Sequence, residues 1–413
     1  DLKIPVDCVV GTSMGALVGG TYAAGVRPDR MLEVLGPTDL GALFDDLPPR
    51  AEIPERVERD SYRPLFDFSL GYNRGEIQLP TGASAGYKFE LFLKDLVGPG
   101  ASSAGTDFDT LPTPFRAVAT DLETGNMKVF GRGDLPRVLR ASMSLPAVIA
   151  PVEIEGRVYV DGGLVRNLPV DIARRLCGEV IIAVNLGTPL KTRDQIRRVI
   201  DVAGQSINLL TEQNVRVSLA ELTPRDILIE PNLEGFSSSD FDAKEAIVAR
   251  GVEAARGKAP QLERLAVGAP GYENWLAERR DRERPAAEIT EISVRPSEGF
   301  SAAAVEYDLR VKPGEGFTTR DLNNDLARMY GRGDYSYVGY STVPGPDGAV
   351  VVIEADAKPW GPGLSQVRPR ARDRPEQPEP VQPGRGLPAN LAERAGRRGA
   401  RGCPARLRQL PAG

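Results

Sequence analysis

Apolar positions in this chain come in short runs separated by polar turns, and the period of the pattern shifts along its length. Residues 1–10 (DLKIPVDCVV) read as a short apolar strand. Small and apolar residues over 14–24 predict a helix packed closely on a sheet, with Gly25 placed to end it in a left-handed cap. Residues 36–90, rich in Pro, Gly and Asp with scattered aromatics, predict a long, partly helical excursion over the sheet. Strand signals return at 115–120 (FRAVAT), 157–160 (RVYV), 180–186 (VIIAVNL) and 226–230 (DILIE), with helical stretches between several of them. VIIAVNL is apolar on both faces, as a central strand covered by helices should be. The alternation predicts an α/β fold with a mainly parallel sheet through about residue 265.

The pattern then changes. A charged run at 278–288 (ERRDRERPAAE) reads as a helix end or a linker. Residues 289–356 give an alternating strand (ITEISV), a helix (TTRDLNNDLARMY) and two strands (YSYVGYSTV and AVVVIEA) joined by the hairpin signal PGPDG, which is a compact α+β module. After Gly363 the chain is dominated by Arg, Pro, Gly and Ala, a composition that cannot bury enough apolar surface to order itself. The expected organisation is an α/β domain over 1–280, an α+β module over 286–360 and a disordered tail over 364–413.

Composition narrows the function. The chain has 413 residues, more than one core usually organises, and a formal charge of -5 with 6% aromatic residues, which argues against nucleic acid as a partner. No window approaches the 18 apolar residues that a spanning helix needs, and no basic-then-apolar leader opens the chain, so a soluble chain is expected. Histidine is absent altogether, which removes Ser-His-Asp and Cys-His chemistry and every His-ligated metal. Cys8, Cys177 and Cys403 are far apart without CxxC spacing, so no zinc site and no disulfide framework is expected, and Cys8 and Cys177 read as buried small hydrophobes. Neither a metal nor a cofactor is predicted.

One motif carries chemistry. Gly11-Thr12-Ser13-Met14-Gly15 fits GxSxG, the elbow in which a serine sits on a strained strand-to-helix turn, and the preceding strand and following helix supply its required context. Glycines at 11 and 15 are expected because side chains there would collide with the neighbouring strand and helix. Without histidine, the serine's proton must go to a carboxylate, lysine or tyrosine. Asp161 ranks first: it closes the strand RVYV and is followed by Gly162 and Gly163, so a short loop presents it at a strand's carboxyl end. Asp121, in ATDLETG, is the runner-up base or a site-lining residue. Ser142 and Ser144, in RASMSLP, read as helix-end and loop hydroxyls.

These residues resemble the patatin-like phospholipases, acyl-ester hydrolases with a Ser-Asp dyad on a three-layer α/β sandwich. The resemblance runs from the start of the chain to about residue 265 through GTSMG at 11–15, ATDLETG at 119–125, RASMSLPAVIAPV at 140–152 and DGGLVRNLPV at 161–170. It implies Ser13 as nucleophile, Asp161 as general base, and a phospholipid or similar lipid ester as substrate drawn from a membrane surface; a homodimer is left open. Family members carry a glycine-rich oxyanion loop upstream of the elbow, and this sequence begins after the place for it. The Met14 backbone amide is the one oxyanion donor that can be named, so an impaired enzyme is one expectation. The module at 289–356 is similar to a POTRA domain, an arrangement seen in outer-membrane or secreted patatin-type autotransporters. The barrel that would follow is not legible here.

The resulting expectation is a phospholipase A-type serine hydrolase working through an acyl-enzyme. Asp161 must be buried enough to raise its pKa, and the two oxygens must meet at one sheet rim. The alternatives are an impaired fragment whose POTRA-like module binds peptide or assists outer-membrane assembly, and a thioesterase or other acyl hydrolase using the same dyad.

Overall fold

The computed structural model describes residues 2–44, 71–73, 76–78, 82–98, 100–187, 190–197, 199–236, 240–283, 289–296, 301–312, 318–332, 335–346 and 348–357. Much of the predicted 36–90 excursion and the whole 364–413 tail lie outside the described residues.

The first unit has the expected order of strand, turn and helix, but the strand covers only the end of the predicted 1–10 segment and runs on to Thr12, while residues 2–8 lie outside any strand or helix. Strand β1 spans Val9–Thr12 and helix α1 spans Met14–Ala23. Its small residues are there for contact: a Cβ at Gly19 would lie 2.7 Å from Val9 Cγ1, and one at Gly20 would lie 2.7 Å from Leu139 Cδ2. Gly25, at φ 104°, ends the helix as the pattern predicts. Four further elements matter for the site: helix α2 (Tyr87–Val97), strands β2 (Phe115–Asp121) and β3 (Met127–Phe130), and helix α3 (Leu135–Ser142). Strands β4 (Val152–Ile154) and β5 (Arg157–Asp161) and helix α4 (Val170–Leu176) follow.

The main sheet has the order β1-β2-β5-β4, with β3 also on β2. It is mixed rather than mainly parallel: β1 pairs parallel with β2, whereas β3 and β5 pair antiparallel with β2, and β4 antiparallel with β5. The register explains how one strand has three partners. β1 lies against Phe115 to Val118 and β5 against Ala119 to Asp121, with Thr12 opposite Val118 and Asp161 opposite Ala119. Because β1 and β5 run in opposite directions, their carboxyl ends meet head to head along β2. On one face Phe115, Ala117 and Ala119 bury against Ala16 and Ala23 of α1 and Leu135, Val138 and Leu139 of α3.

The strand read as a covered central one is instead short. β6 (Ile182–Val184) pairs parallel with β7 (Ile227–Ile229) in a separate two-stranded sheet, across the long helix α5 (Val199–Ala220) in sequence. Within β6 only Ala183 is buried, while Ile182 and Val184 stay exposed, although their register partners Ile227 and Ile229 on β7 are buried in a small cluster with Leu262.

The C-terminal module has strand β8 (Ile289–Pro296), helices α6 (Ala302–Asp308) and α7 (Thr319–Gly331), and strands β9 (Tyr335–Pro344) and β10 (Ala349–Ala357). Helix α6 was not legible in the pattern. The sheet order is β8-β10-β9, parallel and then antiparallel. Helix α2 joins this module to the first core through two faces of i, i+4 spacing: Phe89 and Leu93 pack into the first core, Tyr87 and Leu91 into the second. The Tyr87 ring stacks 3.8 Å from Tyr330, and Tyr337 donates to Glu90 at 2.7 Å.

Candidate active site

The head-to-head ends of β1 and β5 bring the predicted pair together. Ser13 follows Thr12 directly, Asp161 is the last residue of β5, and Ser13 Oγ donates to Asp161 Oδ2 at 2.6 Å. Ser13 takes φ 53° and ψ -123°, a conformation that L residues avoid and that turns its side chain out of the strand. Gly11 makes the turn possible: a Cβ there would lie 2.3 Å from the Gly15 carbonyl oxygen. The steric expectation fails at Gly15, where a Cβ would meet nothing within 4 Å, because that side of the helix start opens to free space.

Asp161 is only 3% exposed. Burial pushes its carboxyl up to about 6 from the ordinary 3.8, against the opposing bonds from the Ser13 hydroxyl and the Gly163 amide. That amide donates to Oδ1 at 2.7 Å, closing the short turn after the strand. Gly162 has no room for a side chain, since a Cβ would lie 2.3 Å from the Val118 carbonyl oxygen. Further bonds tie the loop down. Thr12 donates to the Arg166 carbonyl at 2.8 Å, and Thr120 donates to the Asp161 carbonyl at 2.8 Å. From α5, Thr211 and Asn214 both donate to the Gly163 carbonyl, at 3.1 and 2.8 Å, while the Asn214 side-chain oxygen accepts from the Asn167 amide.

Asp121 goes elsewhere. Its carboxylate accepts from the Glu123 and Thr124 amides and from Arg157 at 2.8 Å. Burial would raise its pKa, but the Thr124 amide, Arg157 and the Glu123 amide together hold it below the usual carboxylate value. Met14 begins α1 with its side chain 42% exposed.

Two features escaped the sequence reading. Cys8 and Cys177 form a disulfide, 169 residues apart with Cα atoms 6.2 Å from each other, and Cys177 is exposed. The bond ties the residue before β1 to the residue after α4; spacing alone gave no sign of it, because the fold brings the two chain ends of these elements together. Ser142, read as a helix-end hydroxyl, is fully buried and accepts from the Ser13 amide at 2.9 Å. Among the described residues no group of three or more His, Cys, Asp or Glu could hold a metal ion, and no helix is long and apolar enough to cross a membrane.

Similar proteins include an uncharacterized NTE family protein of Mycobacterium bovis, 33% identical over 178 residues, which are 43% of this chain and 40% of that one. A patatin-like phospholipase domain-containing protein of Caenorhabditis elegans is 30% identical over 45% of this chain and 12% of its own. Lysophospholipase NTE1 of Candida glabrata is 26% identical over 60% of this chain and 14% of its own. The matched stretch thus spans about two fifths of the length of the mycobacterial relatives. Among solved structures, POTRA1-3 of the periplasmic domain of Omp85 from Anabaena aligns with 27% identity over 18% of this chain and 30% of that chain, at a TM-score of 0.17. Residues 1–174, which hold both Ser13 and Asp161, match the family described as patatin-like phospholipase, with NTE-family proteins among their relatives.

Proposed function

We propose that this chain hydrolyses lipid acyl esters, phospholipid or lysophospholipid, with Ser13 as nucleophile and Asp161 as its base. The observation that carries the reading is the 2.6 Å bond from the Ser13 hydroxyl to a carboxylate that burial pushes up to about 6. An ordinary aspartate is too weak a base at neutral pH, and one near 6 is both ionised at pH 7 and basic enough to take a proton in the transition state.

In the proposed sequence, Ser13 Oγ attacks the ester carbonyl carbon as its proton passes to Asp161 Oδ2. The Met14 amide at the start of α1 faces the developing oxyanion, because the Ser13 amide is already bonded to Ser142. The C–O bond to the alcohol breaks, Asp161 returns the proton to the leaving oxygen, and an acyl-Ser13 ester remains. Water, giving its proton to Asp161, then attacks the acyl carbonyl; the bond to Ser13 Oγ breaks, Asp161 returns the proton to Oγ, and the fatty acid leaves. The exposed Met14 side chain and the open space over Gly15 leave an apolar approach beside the nucleophile, which suits an acyl chain.

The same proposal takes 1–280 as the acyl hydrolase domain and 286–360 as a POTRA-like module, supported by the strand-helix-helix-strand-strand order of the latter. A parent protein of the secreted or outer-membrane kind belongs to this reading. Similarity to a patatin-like phospholipase domain-containing protein and to a lysophospholipase favours lipid hydrolysis over a purely peptide-binding role. The test is hydrolysis of a chromogenic acyl ester and a lysophospholipid, with fluorophosphonate labelling, by wild type and Ser13→Ala. Expected are turnover and labelling that fall by at least about 10³-fold in the variant. Equal rates for the two proteins, or a wild type inert in both assays, overturn the proposal.

A further inference from the structure

The pairing of β1 with β2 predicts where its next hydrogen bond should fall. The Val9 amide donates to the Pro114 carbonyl, and a parallel ladder repeats this every second residue. The next two bonds in register are Gly11 to Arg116 and then Ser13 to Val118. The last one cannot form directly, because Ser13 leaves the strand at φ 53°. The Ser142 hydroxyl fills that place. It accepts from the Ser13 amide at 2.9 Å and donates to the Val118 carbonyl at 2.6 Å.

Both bonds have one direction only. The single Ser142 proton is committed to Val118, so its lone pair must face the Ser13 N–H. Ser142 is itself 0% exposed and ends α3, whose Leu135, Val138 and Leu139 are fixed in the main core. The same chain segment reaches the other partner: two residues on, the Ser144 carbonyl accepts from the Asp161 amide at 2.9 Å. A strained nucleophile conformation persists only where its surroundings over-determine it, and here one buried hydroxyl supplies the bond that the departing strand loses.

Resting on the proposed hydrolase reading, we infer that Ser142 is a positioning residue: inserted into the missing ladder bond between the Ser13 amide and the Val118 carbonyl, it sets the orientation of the nucleophile without touching substrate. Removing it leaves both backbone groups unpaired and lets Ser13 relax toward ordinary strand geometry, away from the line of attack.

The experiment is fluorophosphonate labelling with active-site titration, so that the rate constant is read per titrated Ser13 rather than per mole of protein. For Ser142→Ala the rate constant and kcat should fall about 100-fold, the loss expected from a displacement near 1 Å, with KM within about threefold. The midpoint of the pH–rate profile should stay where the wild type has it, since Asp161 is untouched. Ser142→Thr, which keeps the hydroxyl, should recover most of the loss. Ser102→Ala is the control: Ser102 is equally buried but its hydroxyl donates to the Gly98 carbonyl, so its loss should lower Tm and leave the rate constant alone. Should Ser142→Ala not accumulate as folded protein, Ser142→Cys, similar in size but a weak acceptor, carries the same test. A variant at 142 with a lowered Tm or a smaller titrated fraction but a wild-type rate constant overturns the inference, because that is the signature of a purely structural hydroxyl. If the wild type does not label at Ser13 at all, it is the hydrolase reading that has failed.

Discussion

Two turns leave the same ladder with an aspartate at the last strand position, and they have opposite characters. Asp121 ends β2 and lies opposite Tyr159, while Asp161 ends β5 and lies opposite Ala119, so the two are two rungs apart. Asp121 has Arg157 at 2.8 Å and two turn amides, and its pKa is held low. Among the described residues Asp161 has no bonded cation, only a hydroxyl and one amide, and burial carries it up to about 6. The residue type and the strand-end position are shared. What differs is how far burial is offset, by two turn amides and a guanidinium at Asp121 but only by a hydroxyl and one amide at Asp161, and that difference separates a carboxylate able to take a proton from one that has no tendency to.

The largest expected effect follows directly. Asp161→Asn should lower kcat/KM for an acyl ester by about 10³- to 10⁴-fold, as loss of a base does in serine hydrolases, while Asp121→Asn should stay within about threefold of wild type. Steady-state kinetics on the two variants side by side decides it. Comparable losses at both positions would erase the contrast and return Asp121 to the site.

How much of this contrast could be read beforehand depends on the range of each interaction. The elbow at 11–15 and the Asp-Gly-Gly at 161–163 are local motifs, since a strained turn and a short presenting loop demand glycines within a few residues. Gly11 and Gly162 do press on backbone, at 2.3 Å in each case, although Gly15 does not. The apolar spacing likewise located β2, β5 and most of the C-terminal module. Direction of pairing was not local. Whether β5 runs with or against β2 depends on how the chain returns after β4, and only the antiparallel return makes the ends of β1 and β5 converge. Ser142, 129 residues from Ser13, and Cys177, 169 residues from Cys8, owe their roles to long-range contacts and leave no mark in spacing. The exposed Ile182 and Val184 show the converse: an apolar run is equally compatible with a covered strand and with a short edge pair.

Stability offers the next sharpest separation, because the two carboxylates should act with opposite sign. A group whose folded pKa is raised favours the folded state below its unfolded value and loses that contribution as pH rises through the folded one. For Asp161 the gap between 3.8 and about 6 corresponds to roughly 3 kcal/mol, lost by the wild type between about pH 4 and 6. Asp161→Asn carries no such loss, so in urea melts it should gain on wild type by that amount from pH 4 to 7. Asp121, held low, contributes stability that is present above its unfolded value and vanishes as pH falls. Asp121→Asn should therefore trail wild type at neutral pH and converge with it in acid. A common sign for the two variants would mean that the charge environments are not those described.

The smallest effect tests the same contrast in the rate itself. If the base must be ionised, kcat/KM with chemistry limiting should follow the Asp161 carboxylate, with a midpoint near 6. Between pH 5 and 7 the rate should rise about tenfold, from roughly a tenth of the plateau to roughly nine tenths, as a single ionisation requires. Arg157→Gln then provides the discriminating measurement. It removes the guanidinium that holds Asp121 low and frees that carboxylate to titrate higher, yet Arg157 makes no bond to Asp161, whose partners are Ser13 and Gly163. The midpoint of the rate profile should therefore stay within about 0.3 pH units of wild type, the resolution of such a titration, if Asp161 is the group observed. A midpoint that starts below the usual carboxylate value and moves upward in Arg157→Gln would identify Asp121 as the titrating group and reverse the assignment of the two turns.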